Sequence, residues 1–352
     1  MKALSIFSGC GGLDIGVENA GFENVASIEF DPNAAKTLEN WRDLNRRNTQ
    51  IFNEDIQKID PKRFKGEKIS LLHGGPPCQA FSLIGQRKSL GDPRGQLLFE
   101  AIRFAEALKP KALLIENVKG LLSAPDNKGK VGGAFELFIK ELSKLNYVPK
   151  WTIINAADYG IPQKRERLFI VATYGKNGFS FPVPTHSDEP EELSLFPLKS
   201  HEGVWKYISN LPKPVRKGES EKFPNHIDVT PARDKERISY VTEGGHLANS
   251  DAPPDIKLNL TKKDTTKYRR LSKVEPSLTL RGGEIFYHPT QDRYLTPREY
   301  MRIHTFPDNL ILSGPVRSRS GSVKDLDQHR LVANAVPPKL AEIIAKQILQ
   351  VI

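Results

Sequence analysis

Cys78 stands in the run His73-Gly74-Gly75-Pro76-Pro77-Cys78-Gln79-Ala80-Phe81-Ser82 and is the side chain best suited to start a covalent reaction. Two glycines and two prolines in succession neither continue a strand nor begin a helix, so the backbone forms a fixed turn that presents the thiol. Taken alone, the ordinary alternative is an inert buried cysteine. Three more groups bear on the choice. Glu116 heads Glu116-Asn117-Val118, and Arg165 and Arg167 alternate within Gln163-Lys164-Arg165-Glu166-Arg167, so in extended backbone both guanidinium groups face one side. Singly, the two arginines read as an exposed ion-paired edge. Together, a thiolate, a carboxylic acid and two guanidinium groups describe nucleophilic addition to an electron-poor ring. Cytosine is such a ring. Its C5 cannot accept a methyl group unaided, but thiolate addition at C6, with an acid at N3 and a cation at O2, makes it enamine-like. Loss of the C5 proton then expels the thiol. A duplex hides these atoms, so the base must be flipped out, which calls for a loop beside the nucleophile and a second domain.

The elements that must hold these groups read as an open α/β sheet. Residues 69–72 form an apolar run that ends just before the Cys78 turn, and ligands sit at the carboxyl edge of such sheets. Residues 3–7 predict a strand, Ser8-Gly9-Cys10-Gly11-Gly12 breaks it, and 13–20 resume with helical spacing. That order brings backbone amides close to a small ligand. Residues 25–30 predict a second strand whose tip carries Glu29, about 20 residues past the glycines, where such folds hold ribose hydroxyls. Asp31-Pro32 then opens a helix through Trp41, and Asp55 follows another short strand, within reach of an adenine amino group. Residues 112–115 predict a strand that places Glu116 on the same rim as Cys78. Helices are expected over 97–108 and 135–145, and strands over 151–155 and 168–173. Between them, 83–96 is polar and glycine-punctuated, with Arg87, Lys88 and Arg94 suited to phosphate contacts.

With 352 residues the chain can bury a large core and divide in two. Lys and Arg total 52 against 42 acidic residues, a formal charge of +10 that favours a polyanionic partner, although charge alone also serves solubility. Composition changes after His186. Residues 201–330 hold 23 Lys or Arg and 17 Asp or Glu, so six of the ten excess charges lie there. The densest cluster, Lys262-Lys263-Asp264-Thr265-Thr266-Lys267-Tyr268-Arg269-Arg270, suits a nucleic-acid backbone or a plain solvated face. Residues 277–280 predict a strand. Thr296-Pro297-Arg298-Glu299 predicts a capped helix start. Residues 340–351 predict a helix that returns to the first domain. Cys10 and Cys78 give no disulfide framework, and no cluster has metal-ligand spacing, so no metal is expected. The amino terminus lacks a signal-peptide layout and no stretch is long enough to span a bilayer, so a cytoplasmic protein without membrane contact is expected.

Six blocks in this chain resemble, in order, the signature blocks of the DNA cytosine-5 methyltransferases, in their prokaryotic or phage restriction-modification form. They are Phe7-Ser8-Gly9-Cys10-Gly11-Gly12-Leu13, the run 74–82, Glu116-Asn117-Val118, 163–167, Arg293-Tyr294-Leu295-Thr296-Pro297-Arg298-Glu299 and Asn334-Ala335-Val336-Pro337-Pro338. They leave only about 187–275 uncovered. The resemblance implies a Rossmann-like S-adenosylmethionine-dependent catalytic domain over 1–186, completed by 330–352. It implies a smaller, mostly irregular or β target-recognition domain over 187–329. It makes Cys78 the nucleophile, Glu116 the acid, and Arg167, with Arg165 beside it, the O2 contact. Phe7, Gly9, Cys10, Gly11, Glu29, Asp55, Ile56, Pro77, Leu97, Asn334 and Val336 would line the S-adenosylmethionine site. Contacts to double-stranded DNA would come from Gln79, Ser82, Arg87, Arg94, Lys267, Arg269, Arg270, Thr279 and Leu280. A companion restriction endonuclease would need no stable association, and a monomer suffices. Two departures stand out: Ala333 replaces a frequent glycine, and His304 a common glutamine. Two rivals are an RNA cytosine-5 methyltransferase and a DNA-binding regulator without catalysis; the long basic segment speaks against the first and the intact Cys78, Glu116, Arg165 and Arg167 against the second.

Overall fold

The structure, a computed structural model, describes the chain apart from residues 78–92, 127–128, 176–177, 190–196, 217, 222, 258–259, 262–265, 267 and 318–325. For 93–96 it describes the backbone alone. Two units emerge: 1–155 with 166–183 and 338–352, and 156–165 with 184–337. Residues 156–165, 184–186 and 330–337, which the sequence reading assigns to the first domain, group with the second.

The first unit is built on a seven-stranded sheet. Its strands are β1 (Lys2–Ile6), β2 (Glu23–Ile28), β3 (Gln50–Phe52), β4 (Leu71–Gly74), β5 (Ala112–Asn117), β6 (Tyr147–Asn155) and, after the two-residue β7 (Gln163–Lys164) of the second unit, β8 (Glu166–Tyr174). The order is β3-β2-β1-β4-β5-β8-β6, with only β8 antiparallel to its neighbours. The order reverses between β1 and β4, and ligands of open α/β sheets bind beyond the carboxyl ends at such a point. Both key turns, 7–11 and 75–77, leave from those two ends.

Four helices follow these strands: α1 (Gly12–Asn19), α2 (Pro32–Leu44), α3 (Pro93–Leu108) and α4 (Gly133–Lys144). Asp31 caps α2 by accepting from the Ala34 amide at 2.8 Å, with Pro32 at the first helical position, as its sequence predicts. Leu4, Ile6, Leu72, Leu113, Ile115, Phe104, Phe138 and Ile170 fill the core on one side of the sheet. Strand β4 runs two residues further than the apolar pattern indicates, through His73 and Gly74. Gly74 permits this because a Cβ there would meet the Ile6 carbonyl oxygen at 2.1 Å, so β1 and β4 approach only over a bare backbone.

Among its described residues the second unit has little regular structure. Its strands come in pairs of two residues, β9 (His186–Ser187) with β10 (Lys199–Ser200), β11 (Val215–Arg216) with β12 (Ile227–Asp228), and β13 (Ser277–Leu278) with β7. Helices α5 (Trp205–Ile208), α6 (Ala232–Ser239), α7 (Pro297–Ile303) and α8 (Gln328–Asn334) join them, more helix than the expected irregular or β domain. The start of α7 is the capping box its sequence predicts: Thr296 Oγ1 accepts from the Glu299 amide at 3.2 Å, and Glu299 Oε2 accepts from the Thr296 amide at 2.8 Å. The final helix, α9 (Pro338–Leu349), belongs to the first unit and packs on α1 at Gly16, where a Cβ would meet the Ala341 side chain at 2.4 Å.

Candidate active site and cofactor turn

Two turns at the switch point carry the site of the first unit. In the first, Phe7, Gly9 and Gly11 have φ of 53°, 55° and 88°. Left-handed backbone suits glycine and strains phenylalanine by about 1 kcal/mol. A Cβ on Gly9 would meet nothing within 4 Å, so open space borders the backbone there. Glu29 closes the turn from β2: Oε2 accepts from the Gly9 amide at 2.7 Å and Oε1 from the Asp31 amide at 2.8 Å. Burial raises the Glu29 pKa, partly offset by those amides. Strand β2 ends at Ile28, two residues earlier than the apolar pattern indicates, and this leaves the Phe30 ring half exposed. Asn53 Nδ2 donates to the carbonyls of Glu29 and Phe30, each at 3.0 Å. Asp55 caps a short turn by accepting from the Gln57 amide at 3.0 Å, with Ile56 buried behind it. Cys10 is buried, and burial pushes its thiol far up, so it is an inert wall.

The second turn leads toward the nucleophile. Cys78, Gln79, Ser82, Arg87 and Lys267, and the side chain of Arg94, lie outside the described residues. Pro76 is buried and Pro77 exposed. Asn117, the last residue of β5, donates from Nδ2 to the Pro76 carbonyl at 3.2 Å, and its Oδ1 accepts from the Val118 amide at 2.9 Å. Asn117 therefore anchors the segment entering Cys78 to the strand that carries Glu116. Glu116 lies within β5 rather than after it, 8% exposed, and a Cβ on Gly75 would sit 3.3 Å from its Oε2. Arg167 Nε pairs with Glu116 Oε1 at 3.1 Å. Leu97, in α3, packs partly buried on the core.

Arg165 and Arg167 do not lie in one strand. Arg167 lies in β8 opposite Ile154, whereas Arg165 falls in the gap between β7 and β8, is buried, and groups with the second unit. Asn334 and Val336 also belong to that unit, the first exposed at the end of α8 and the second buried.

Several residues expected to contact DNA have other work in the second unit. Arg270 is buried and makes five hydrogen bonds, to the carbonyls of Val241, Ile238, His288 and Gln291 and to Asp292. Its guanidinium is an internal tie and corrects the expectation of a phosphate contact. Leu280 is likewise a correction: its side chain is buried and its amide donates to Gln163 Oε1 at 3.1 Å. Thr279 Oγ1 donates to the Lys164 carbonyl at 2.8 Å. Both stitch β13 to β7. Arg269 instead lines a polar cleft of about 410 Å³ with Tyr240, Thr242, His246, Asn249 and Asp251. His304 is no idle replacement, because its Nδ1 lies 3.0 Å from Gln163 Nε2 in a buried contact.

Sequence reasoning passed over Phe30, Asn53 and Asp14. Phe30 reads as one more apolar strand residue, Asn53 as a loop residue, and Asp14 as part of a helical pattern. Among the described residues no cluster of metal-ligating side chains occurs, and no described helix is long and apolar enough to cross a membrane.

The profile of the C-5 cytosine-specific DNA methylases matches residues 1–350. The Type II methyltransferase M.NgoFVII of Neisseria gonorrhoeae is 34% identical over 357 residues, covering 99% of this chain and 87% of that protein. M.PspPI of a Psychrobacter species is 35% identical over 367 residues, covering 99% and 79%. Among solved structures, an E. coli prophage protein described as a DNA modification methyltransferase aligns with a TM-score of 0.70 at 22% identity, covering 99% of each chain. Dnmt2 of S. pombe aligns at 0.62 and 19%, covering 99% and 98%. At those identities the structures speak to the fold.

Proposed function

Because the chain belongs to the C-5 cytosine-specific DNA methylases, we propose that it methylates a flipped-out cytosine within a short specific duplex sequence, through a covalent bond from Cys78 to C6. The observation that carries this reading is the Glu116–Arg167 pair at the carboxyl edge of the strand beside β4, the strand that leads to Cys78. In this reaction the Cys78 thiolate forms the sulfur–C6 bond while Glu116 supplies a proton or hydrogen bond at N3. Arg167 orients the Glu116 carboxyl group, whose proton faces N3, while its Nη1 donates to the Glu166 carbonyl and Nη2 is offered to O2, where negative charge develops. After C5 is methylated, a base takes the C5 proton and the electron pair re-forms the C5–C6 double bond as the thiolate leaves. Arg165 is assigned the place beside Arg167 that the family pattern gives it.

The first turn fits S-adenosylmethionine. The open space over Gly9, the fixed Glu29 carboxylate and the exposed Phe30 ring suit, in turn, a methionine portion, ribose hydroxyls and a purine face. Phe7, Gly11, Cys10, Asp55, Ile56, Pro77, Leu97, Asn334 and Val336 complete the proposed lining. When bound, S-adenosylmethionine supplies an electrophilic methyl group.

Residues 1–186 with 330–352 are proposed as the catalytic domain and 187–329 as the part that reads the target. The Type II relatives support a restriction-modification role in the cytoplasm beside a separate endonuclease. The test is incubation with labelled S-adenosylmethionine and unmethylated DNA, with total RNA in parallel, followed by mapping of modified cytosines. Label at C5 in one short DNA motif is expected; label in RNA alone would overturn the proposal.

A further inference from the structure

Beneath the glycine turn runs a chain of buried polar groups that the proposed chemistry does not use. Asp14, in the first turn of α1, accepts from Ser5 Oγ on Oδ1 and from Ser27 Oγ on Oδ2, both at 2.6 Å. Ser5 Oγ accepts from Ser8 Oγ at 2.7 Å, and Ser27 Oγ from Asn24 Nδ2 at 3.3 Å. Asn24 Oδ1 lies 3.2 Å from His73 Nε2. Ser5 is the register partner of both Ser27 and His73, so the three emerge on one face of adjacent strands β2, β1 and β4. Each hydroxyl and amide donates toward the next, and the whole chain converges on the Asp14 carboxylate. His73 closes the far end as the neutral tautomer with hydrogen on Nε2, its pKa lowered to about 3 by burial.

A buried carboxyl group is costly to the fold relative to an apolar side chain, even when hydrogen-bonded. What it supports is Ser8, between left-handed Phe7 and Gly9. The Ser8 amide donates to Ile28 O at 3.1 Å, the Gly11 amide to Ser8 O at 3.1 Å and the Gly9 amide to Glu29; the Ser8 hydroxyl, 2.7 Å from Ser5 Oγ and 3.3 Å from Ile28 O, adds the side-chain tie to this strained stretch from below. We propose that Asp14 is a positioning residue for the cofactor turn, its carboxylate holding residues 7–11, through Ser5 and Ser8, in the shape that receives the methyl donor. The proposal rests on the reading of that turn given above.

The test uses Asp14→Ala, Asp14→Asn and Ser8→Ala in the full chain. Dissociation constants for S-adenosylmethionine come from calorimetry, with KM for each substrate, kcat and Tm alongside. Asp14→Ala and Ser8→Ala should weaken S-adenosylmethionine binding and raise its KM about tenfold, the size of a lost hydrogen bond to a charged group. KM for DNA and kcat at saturating S-adenosylmethionine should hold. Asp14→Asn, which keeps an acceptor and a donor toward the serines, should stay within about threefold. Unchanged S-adenosylmethionine affinity in the folded variants, or a loss confined to kcat, overturns the proposal. Should Asp14→Ala fail to fold, Ser8→Ala, which removes one hydroxyl, decides alone. A wild-type protein that does not bind S-adenosylmethionine overturns the reading of the turn itself, whereas wild-type binding with unaltered variants overturns only the role of Asp14.

Discussion

The two units solve the same problem, satisfying buried backbone, by different means. In the first, seven strands pair carbonyl with amide along their length, and buried polar side chains are left to shape turns: Glu29, Asn117 and Asp14 each hold a segment beside the proposed chemistry. In the second, no strand among the described residues exceeds two residues, and buried arginines take the place of ladders. Arg298 is fully buried and donates to the carbonyls of Pro224, Asp308 and Leu310 at 2.9, 3.0 and 2.9 Å. Arg270 does the same for four carbonyls. Arg293 makes two bonds to Glu299, at 2.8 and 2.6 Å. Burial alone would raise the Glu299 pKa, but Arg293 and the hydrogen bonds outweigh it and hold the carboxyl below the usual range. The lesson concerns charge. Part of the basic excess of residues 201–330 is internal scaffolding, so a count of cations overstates the surface offered to a polyanion.

If the division holds, changes in the first unit should strike chemistry and changes in the second should strike stability. The largest effect is expected from Cys78→Ala: kcat should fall by about 10³-fold or more while Tm and S-adenosylmethionine binding stay near wild type. A marked fall in Tm would make Cys78 a packing residue. Arg270→Met should lower stability by about 3 kcal/mol, because several buried carbonyls lose their donor. Its DNA affinity should keep the wild-type salt slope. A slope reduced by about one would return Arg270 to the phosphate contacts, the change expected instead of Arg269→Ala.

Acidity offers a finer test within the first unit. Asp14 is raised to about 7, by burial first, against the lowering bonds from Ser27 and Ser5, with Glu18 on its own helix and Glu29 beyond β2 pushing the same way as burial. The folded state thus holds a proton there that the unfolded chain has released, so this group lowers stability as pH rises from about 4 to about 7. His73, at about 3 when folded, is neutral where the unfolded chain is protonated, so it raises stability as pH rises to about 6.5. From about 4 to about 6.5 the two slopes cancel. Relative to the wild type, Asp14→Asn should then shift the slope of stability by about +1.4 kcal/mol per pH unit, and His73→Gln by the same amount in the opposite direction. Denaturant melts across that range check both. The smallest effect is Thr296→Ala, with a loss of about 1 kcal/mol from the broken capping box and no change in catalysis.

What could be read from the sequence follows from how local its cause is. The helix start at Asp31, the capping box at Thr296 and the glycine break after the first strand are written in neighbouring residues, and they stand where the sequence predicts. Strand ends depart from the apolar pattern where a distant backbone decides them, as with Gly74 against Ile6. The alternation of Arg165 and Arg167 is visible in the sequence, but the one-residue gap that puts them on either side of a strand boundary is not. Arg270 was illegible for a different reason: a guanidinium aimed at carbonyls and one aimed at phosphates have the same sequence. Asp14 shows its role only once β1, β2 and α1 are side by side.

The close seat of α9 against Gly16 also bears on how this protein is made. The surface that α1 offers to α9 is covered only after residue 349 has left the ribosome, more than 300 residues after α1 itself. Until then the first helix of the proposed cofactor site stands open on one side, so a nascent chain should carry its nucleophile well before it can hold a methyl donor.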